Sequence, residues 1–210
     1  MYLVKGAKTI QISRSDLQVN LFEKIYLDLG TGDGRFVYKN AKSHLKDLWI
    51  GIDPAETQLR IYSSKINKER LLNAYLILAS AENVPTELEG IFDKIFINYP
   101  WGSLLKLTVD PTTKFIESLL SLLKVGGSVQ FLFGYNPLDE PNEVGRLNLP
   151  DINEDFLRDK LIPIYKDGGF ISTQLKLLDK NKMQEYETSW SKKLGYGFSG
   201  RPIFLIEFKK

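Results

Sequence analysis

The 210-residue sequence contains no cysteine and a single histidine, His44. The absence of cysteine excludes disulfides, thiolate metal sites, redox thiols and a cysteine nucleophile. A Ser-His-Asp triad or a histidine-rich metal site would have to use His44 alone. No apolar run approaches the ~20 residues that span a bilayer, and the first residues lack the apolar core of a signal peptide. We therefore expect a cytoplasmic protein with no membrane partner and no metal.

The sequence also has little net charge, since 28 Lys and Arg residues stand against 26 Asp and Glu residues and leave +2. This total does not by itself imply a polyanionic partner. The distribution is uneven, however. Residues 191–210 hold five cations and one carboxylate, whereas residues 137–160 hold seven acids and three bases. A small total is therefore compatible with one basic surface.

The order of apolar segments predicts an α/β fold. The length and the 43% apolar composition fit a single domain over residues 1–210. Short apolar strand patterns alternate with segments of helix length, and two more strand patterns close the chain. The predicted strands are residues 24–29, 48–53, 74–80, 93–98, 128–133, 170–178 and 202–208. We expect a seven-stranded, mostly parallel Rossmann-like sheet with helices on both faces and an antiparallel pair at one edge.

Turn and helix signals refine this layout. Residues 1–13 predict an N-terminal β-hairpin that turns at Gly6. Residues 134–155 and 179–201 are predicted inter-strand extensions on the substrate side of the domain. Helical periodicity over 113–124 is followed by Gly126 and Gly127, which predicts a glycine C-cap at that point.

A glycine-rich turn follows the first parallel strand, with glycines at 30, 32 and 34 between Asp28 and Arg35. Asp53 ends the next strand, where a carboxylate commonly binds two ribose hydroxyls. The spacing differs from the pyrophosphate fingerprint, and Asp28 and Asp33 would repel a pyrophosphate. They suit S-adenosylmethionine, which carries an ammonium and a sulfonium and no phosphate. The alternative is a plain strand-to-helix turn that Asp33 caps.

Asn98-Tyr99-Pro100-Trp101 closes the fourth strand. Many amino-methyltransferases carry an Asp/Asn-Pro-Pro-aromatic element here, whose oxygens accept hydrogen bonds from an amine while the aromatic ring stacks on the base. Gly102 indicates a loop after Trp101. The alternative is that Trp101 plugs the end of the sheet. Trp190 lies in a helical stretch over 183–194, where it fits either a core stripe or a basic, glycine-rich binding loop.

These residues together resemble the aminoglycoside-resistance 16S ribosomal RNA methyltransferases that modify N1 of adenine 1408, the kanamycin–apramycin or NpmA-like family. The resemblance covers nearly the whole chain. It includes the turn from Asp28 to Arg35, Gly51 to Pro54, Ala81-Glu82, Pro100 to Leu105, Leu149-Pro150, and Trp190 with Lys192 to Leu194. The Pro-Trp-Gly element together with a second tryptophan before a basic loop is its most specific part.

The resemblance implies roles for individual residues. Asp28, Gly30, Thr31 and Gly32 would hold the methionine part of S-adenosylmethionine, Asp53 its ribose, and Ala81 and Glu82 its adenine region. Asn98, Ser103 and Thr188 would line the pocket, and Trp101 and Trp190 would enclose the extruded adenine beside Pro100. Contacts with RNA are implied for Lys65, Lys68, Lys124, Glu140, Lys193 and Arg201. The implied partner is 16S rRNA within the 30S subunit, bound by a monomer, with recognition resting on the shape of the subunit.

Other functions stay open at this point. Asn98 and Tyr99 stand where the family has apolar residues before Pro100-Trp101, and an Asn-x-Pro-aromatic element suits an exocyclic amine. Methylation of adenine N6 or of another RNA amine is therefore the nearest alternative. A small-molecule methyltransferase and a non-catalytic RNA-binding protein of the same fold are further alternatives.

Overall fold

The computed structural model describes residues 1–138, 140–178 and 202–210. It divides into two compact units. The first comprises Met1–Phe96 with Leu122–Gly127, and the second comprises Ile97–Ser121 with Ser128–Lys210. No helix in the described part of the chain has the length and apolarity that a membrane crossing requires.

The first unit alternates strands with two amphipathic helices. Its elements are β1 (Tyr2–Lys5), β2 (Lys8–Gln11), β3 (Ile25–Leu29), α1 (Arg35–Ser43), β4 (Leu48–Asp53), α2 (Glu56–Glu69), β5 (Ala74–Leu78) and the greater part of β6 (Phe92–Asn98), with 3-10 turns at Arg14–Leu17, Val19–Leu21 and Thr86–Leu88. Its strands follow the order β2-β1-β5-β4-β3-β6. β3 is parallel to β4 and to β6, and β4 is parallel to β5.

The core of this unit lies where α1 and α2 pack on the sheet. Phe36 and Val37 of α1 and Leu59 of α2 are buried against Trp49 and Leu76. Each helix contributes residues at three- or four-residue spacing, which is why one stripe of each is apolar. This packing fixes the ends of β3, β4 and β5, where the glycine-rich turn begins.

The predicted hairpin is confirmed, and it extends the sheet. β1 and β2 pair antiparallel from Tyr2 opposite Gln11 to Lys5 opposite Lys8. Gly6 has a φ of 62°, which a glycine adopts without steric cost in a tight turn. Leu3 pairs antiparallel with Ile77 of β5, so the hairpin becomes the edge of the sheet.

The second unit holds the rest of the chain. Its elements are α3 (Gly102–Val109), α4 (Thr113–Leu122), most of β7 (Leu123–Phe133), α5 (Pro141–Leu147), α6 (Glu154–Phe156), a π-helical turn (Leu157–Leu161), α7 (Ile162–Asp167), β8 (Ile171–Leu178) and β9 (Ile203–Lys209). β9 pairs antiparallel with both β7 and β8, which confirms the predicted antiparallel edge. Tyr165 of α7 is buried against Phe131 and Phe208 of these strands.

Two local predictions were wrong. Gly126 and Gly127 do not cap α4, because α4 ends at Leu122 and both glycines belong to β7. A Cβ on Gly127 would lie 3.0 Å from the Phe92 carbonyl oxygen, so this glycine permits a close backbone approach. Gly102 begins helix α3 rather than a loop. Helix α5 lies inside the predicted extension 134–155 and adds an element for which no prediction was made.

Candidate functional site

The glycine-rich turn is anchored by its backbone to the end of the neighbouring strand. The Gly30 and Thr31 N–H groups both donate to the carbonyl oxygen of Ile52, at 2.9 and 3.0 Å. The Gly34 N–H donates to the Thr31 carbonyl at 3.1 Å and closes the turn. Gly30, Gly32 and Gly34 have φ values of 78°, 61° and 81°, in the left-handed region where a side chain adds strain. The turn is therefore a fixed loop whose conformation requires glycine.

Asp53 connects this turn to the start of α2. Its carboxylate accepts hydrogen bonds from the Gly32 N–H at 2.9 Å and the Ala55 N–H at 2.8 Å. Its carbonyl oxygen accepts from the Ala79 N–H at 3.3 Å, which ties in the end of β5. Burial raises the pKa of the Asp53 carboxyl, and the two backbone hydrogen bonds oppose that shift. The carboxylate keeps further lone pairs for hydroxyl donors.

Space around the turn is tight on one side and open on the other. A Cβ on Gly51 would lie 2.8 Å from Thr31 Cγ2, and one on Gly34 would lie 2.5 Å from Leu76 Cδ1. A Cβ on Gly32, in contrast, would meet no atom within 4 Å. The Thr31 Oγ1 atom is buried and has no hydrogen-bond partner among the described residues. Such an atom calls for a ligand group, because an unpaired buried hydroxyl is unfavourable.

The other predicted cofactor residues of this unit surround the same strand ends. Asp28 is buried and lies in β3 opposite Gly51 of β4. Asp33 Oδ1 accepts from the Arg35 N–H at 3.1 Å, but the N-cap of α1 is Gly34 and no side chain caps the helix, so Asp33 does not take the alternative role of an N-cap. Ala81 is buried and Glu82 is exposed just after β5. The donor set is one of carboxylates, backbone groups and a hydroxyl, which fits a cationic, hydroxyl-bearing ligand.

The second unit contains the end of β6, and its backbone there is strained. Tyr99 has a φ of 49°, a conformation that a bulky residue rarely adopts. Its N–H donates to the Leu132 carbonyl at 2.6 Å, and its ring is buried with Leu132, Ile203 and Leu205. Strain of this kind, of order 1–3 kcal/mol, is held by the surrounding packing and is common at functional sites.

This bend separates two side-chain environments. Asn98 and Pro100 are buried, whereas Trp101 is 40% exposed at the N-cap of α3. Ser103, in the first turn of α3, is exposed. Because Trp101 is 40% exposed, the alternative of a tryptophan buried at the end of the sheet does not describe it.

The predicted RNA-contact residues fall in different settings. Lys65 and Lys68 are exposed on α2, and Lys65 Nζ lies 4.3 Å from the centre of the Tyr62 ring. Lys124 Nζ lies 2.7 Å from Asp93 Oδ2, so it forms an ion pair within the protein. Glu140 precedes α5, and its Oε2 accepts from the Asn136 N–H at 3.3 Å.

Four predicted residues lie outside the described part of the chain: Thr188, Trp190, Lys193 and Arg201. The whole predicted extension 179–201 lies outside it as well. Among the described residues, no group of three or more His, Asp or Glu side chains has the arrangement of a metal site.

Sequence reasoning missed two residues that shape the site. Gly51 was quoted without a role, yet it makes room for Thr31 behind the turn. A glycine inside a buried strand is a signal for such a close approach. Tyr99 carries the bend before Pro100, and no sequence signal indicates a left-handed tyrosine.

Comparisons with known proteins agree over nearly the entire chain. A family model described as 16S rRNA (adenine(1408)-N(1))-methyltransferase matches residues 2–208. A protein of that description from Escherichia coli is 32% identical over 204 residues, covering 94% of this chain and 93% of that protein. The crystal structure of a 30S ribosomal A1408 methyltransferase from an uncultured bacterium is 37% identical, with a TM-score of 0.80 over 100% of both chains.

A further solved structure bears on the fold. It is a variant of a 16S rRNA (adenine(1408)-N(1))-methyltransferase from Catenulisporales acidiphilia with its cosubstrate SAM, and it is 22% identical with a TM-score of 0.87 over 100% of this chain and 96% of that chain. These similarities confirm the predicted Rossmann-like methyltransferase fold. The strand count differs, because the described residues form nine strands once the two hairpin strands join the sheet.

Proposed function

This chain belongs to the 16S rRNA (adenine(1408)-N(1))-methyltransferase family, and we infer that it transfers a methyl group from S-adenosylmethionine to N1 of adenine 1408 in 16S rRNA. The observation that carries this conclusion is the match of the family model over residues 2–208. The glycine-rich turn supports it, because the buried Thr31 hydroxyl has no partner among the described residues and would gain one from a bound cofactor.

S-adenosylmethionine supplies an electrophilic methyl group when it is bound. In our proposal Asp28 accepts hydrogen bonds from its ammonium group, and Asp53 accepts them from the ribose hydroxyls. Thr31 Oγ1 donates to or accepts from the methionine part at the open side of Gly32. Ala81 and Glu82 bound the adenine end. The glycines exclude side chains from this space, so the backbone itself forms the wall.

The aromatic element of the second unit receives the base. Trp101 stacks on the extruded adenine, Pro100 keeps the turn rigid, and Asn98 and Ser103 supply polar atoms beside it. Unstacking a base takes a few kcal/mol, and stacking on an aromatic ring returns ~1–3 kcal/mol. Trp190 is proposed as the second stacking residue, and Thr188 as a further pocket residue.

The chemistry requires no general base. Ring N1 of adenine has a lone pair in the plane of the ring and no proton to lose. The protein's contribution is therefore to position the base and to extrude it. His44, the single histidine, is exposed, and its Nδ1 lies 3.0 Å from the Asn40 carbonyl oxygen. This contact gives it no part in the transfer.

We propose the assembled 30S subunit, in the cytoplasm, as the substrate of a monomeric enzyme. Lys65, Lys68, Lys193 and Arg201 would contact phosphates, with Lys124 and Glu140 near the RNA. Methylation at N1 removes a hydrogen-bond acceptor and adds a positive charge to the adenine. Both changes disfavour a cationic aminoglycoside at the decoding site, which explains resistance as the outcome.

The test is methyl incorporation from labelled S-adenosylmethionine into three substrates: 30S subunits lacking the modification, protein-free 16S rRNA, and adenosine. We expect efficient transfer to 30S subunits, weak transfer to free 16S rRNA, and none to adenosine. Transfer to adenosine without transfer to 30S subunits would establish a small-molecule enzyme instead. A cofactor titration that detects no binding would make the chain a non-catalytic protein.

A further inference from the structure

A groove of about 280 Å³ opens beside the N-terminal hairpin, within the first unit. We call it the hairpin groove. Its walls come from β1, the last turns of α2 and β5, and its lining includes Leu3, Ile66, Leu71 and Tyr75. Leu72 stands at the same groove and is 80% exposed. The volume lies near the lower end of ligand pockets, which begin at ~300 Å³. The groove therefore suits a group about the size of one nucleoside.

The hairpin wall of the groove is held in place by hydrogen bonds to α2. The Ser63 hydroxyl is buried, accepts from the Gly6 N–H at 2.7 Å and donates to the Val4 carbonyl at 2.6 Å. Thr9 Oγ1 donates to Glu56 Oε1 at 2.5 Å. The groove is thus formed before any partner arrives, which reduces the entropy lost on binding.

The groove also carries positive charge. Lys5 and Arg70 line it, and neither lies within 4.0 Å of a carboxylate in the described part of the chain. Many other exposed cations are paired, such as Lys42 with Glu69 at 2.8 Å and Lys46 with Glu23 at 2.9 Å. Glu69, the nearest acid in sequence to Arg70, is occupied by Lys42 and the Tyr38 hydroxyl.

We propose that the hairpin groove binds one nucleotide of the 16S rRNA other than the methylated adenine. Lys5 and Arg70 contact its phosphate, and the base lies against Leu71, Leu72 and Tyr75. Charge complementarity supports this occupant, since two cations that have no carboxylate partner among the described residues, beside an apolar groove, match a phosphate joined to a base. The inference rests on the proposed function. It adds a nucleotide-binding site in the first unit to the phosphate contacts proposed for Lys65 and Lys68.

The first test removes the charge. We expect Lys5→Ala combined with Arg70→Ala to weaken binding of 30S subunits about tenfold or more, and to reduce the slope of log K against log salt by roughly 0.7–0.9, the value for one phosphate. The rate at saturating 30S and the affinity for S-adenosylhomocysteine stay unchanged, because neither residue belongs to the cofactor site. Lys114→Ala combined with Lys166→Ala, at two exposed lysines, is the matched control and leaves binding unchanged.

The second test uses the absence of cysteine. Leu72→Cys introduces a unique thiol at the groove, to which a short photo-crosslinker is attached, and Leu45→Cys is the control at a site 69% exposed. We expect the Leu72→Cys conjugate to crosslink to 16S rRNA in the 30S complex. A crosslink to a ribosomal protein instead, or no crosslink, overturns the assignment.

Failure of this proposal is distinguishable from failure of the proposed function. If the wild-type chain transfers no methyl group to 16S rRNA, the proposed function is wrong. If the wild type is active while the Lys5→Ala, Arg70→Ala variant binds 30S subunits as tightly as the wild type, only the groove assignment is overturned.

Discussion

Replacing Thr31 by valine removes one atom, Oγ1, whose effects on protein stability and on cofactor affinity can be measured separately. The substitution exchanges the Oγ1 hydroxyl for a methyl group of similar size and keeps the Cγ2 methyl that packs near Gly51. In the free protein the hydroxyl is buried without a partner among the described residues. We propose that the bound cofactor supplies a hydrogen-bond partner for this hydroxyl. The two states should therefore respond to the substitution in opposite directions.

The magnitudes follow from general hydrogen-bond energetics. An unsatisfied buried polar group is unfavourable by ~1–3 kcal/mol, so removing it should stabilise the cofactor-free protein by about 1 kcal/mol. For a chain of this size that corresponds to a rise in Tm of ~2–4 °C. The polar groups of the methionine part are an ammonium and a carboxylate, so loss of one hydrogen bond to a charged group, ~1.5–3 kcal/mol, should raise the Kd for S-adenosylhomocysteine roughly 12- to 160-fold.

Thermal unfolding without cofactor and calorimetric titration with S-adenosylhomocysteine measure the two effects. Thr31→Ser is the matched control, because it keeps the hydroxyl and removes the methyl; it should lose stability and retain affinity. If Thr31→Val lowers Tm and leaves the Kd unchanged, the hydroxyl has a structural partner and the reasoning about the turn is refuted.

Three further predictions concern single residues. Gly34→Ala places a Cβ 2.5 Å from Leu76 Cδ1 at a φ of +81°, and should destabilise the protein by about 2 kcal/mol in denaturant unfolding; unchanged stability would mean that the turn relaxes freely. Burial raises the pKa of the Asp93 carboxyl, but hydrogen bonds from Lys124, the Ile25 N–H and Lys24 outweigh burial and lower this pKa below 3.8. Ionised Asp93 therefore stabilises the folded protein at neutral pH, and this stabilisation is lost as the pH falls through the lowered pKa. Asp93→Asn should reduce Tm at pH 7, and the difference from the wild type should shrink as the pH falls through the lowered pKa; a difference that does not change with pH would show that charge is not its cause. Trp101→Ala should lower kcat/KM for 30S subunits roughly 10- to 100-fold with cofactor affinity unchanged, and full activity would remove Trp101 from the base site.

The elements that the sequence predicted well are those with strong local patterns. β4 spans Leu48–Asp53 as expected, because a short apolar run bounded by charged residues strongly favours a buried strand. The turn from Asp28 to Gly34 was predicted with its neighbours, since alternating glycines between a strand and a helix have few structural uses. The hairpin was also predicted from Gly6 and its flanking alternation.

The parts that sequence reasoning missed depend on contacts distant in the chain. Gly127 looks like a helix cap, but it serves the close approach to Phe92, 35 positions earlier. Helix α3 was not predicted because Pro100 and Gly102 indicate a turn and a loop, although the buried Leu104 and Thr108 have helical spacing. The bend at Tyr99 depends on the Leu132 carbonyl and on the apolar contacts of its ring, and neither is visible in local sequence.

The position of the methyl group on adenine 1408 distinguishes transfer to N1 from transfer to N6. Primer extension across the decoding site of 16S rRNA, taken from 30S subunits treated with the enzyme and S-adenosylmethionine, reports on N1 because that atom lies on the Watson–Crick edge of adenine. We predict that primer extension stops strongly at adenine 1408 and that this stop depends on the cofactor. Incorporation of a labelled methyl group with full-length extension through adenine 1408 would place the methyl group elsewhere, as expected for N6, and would contradict it.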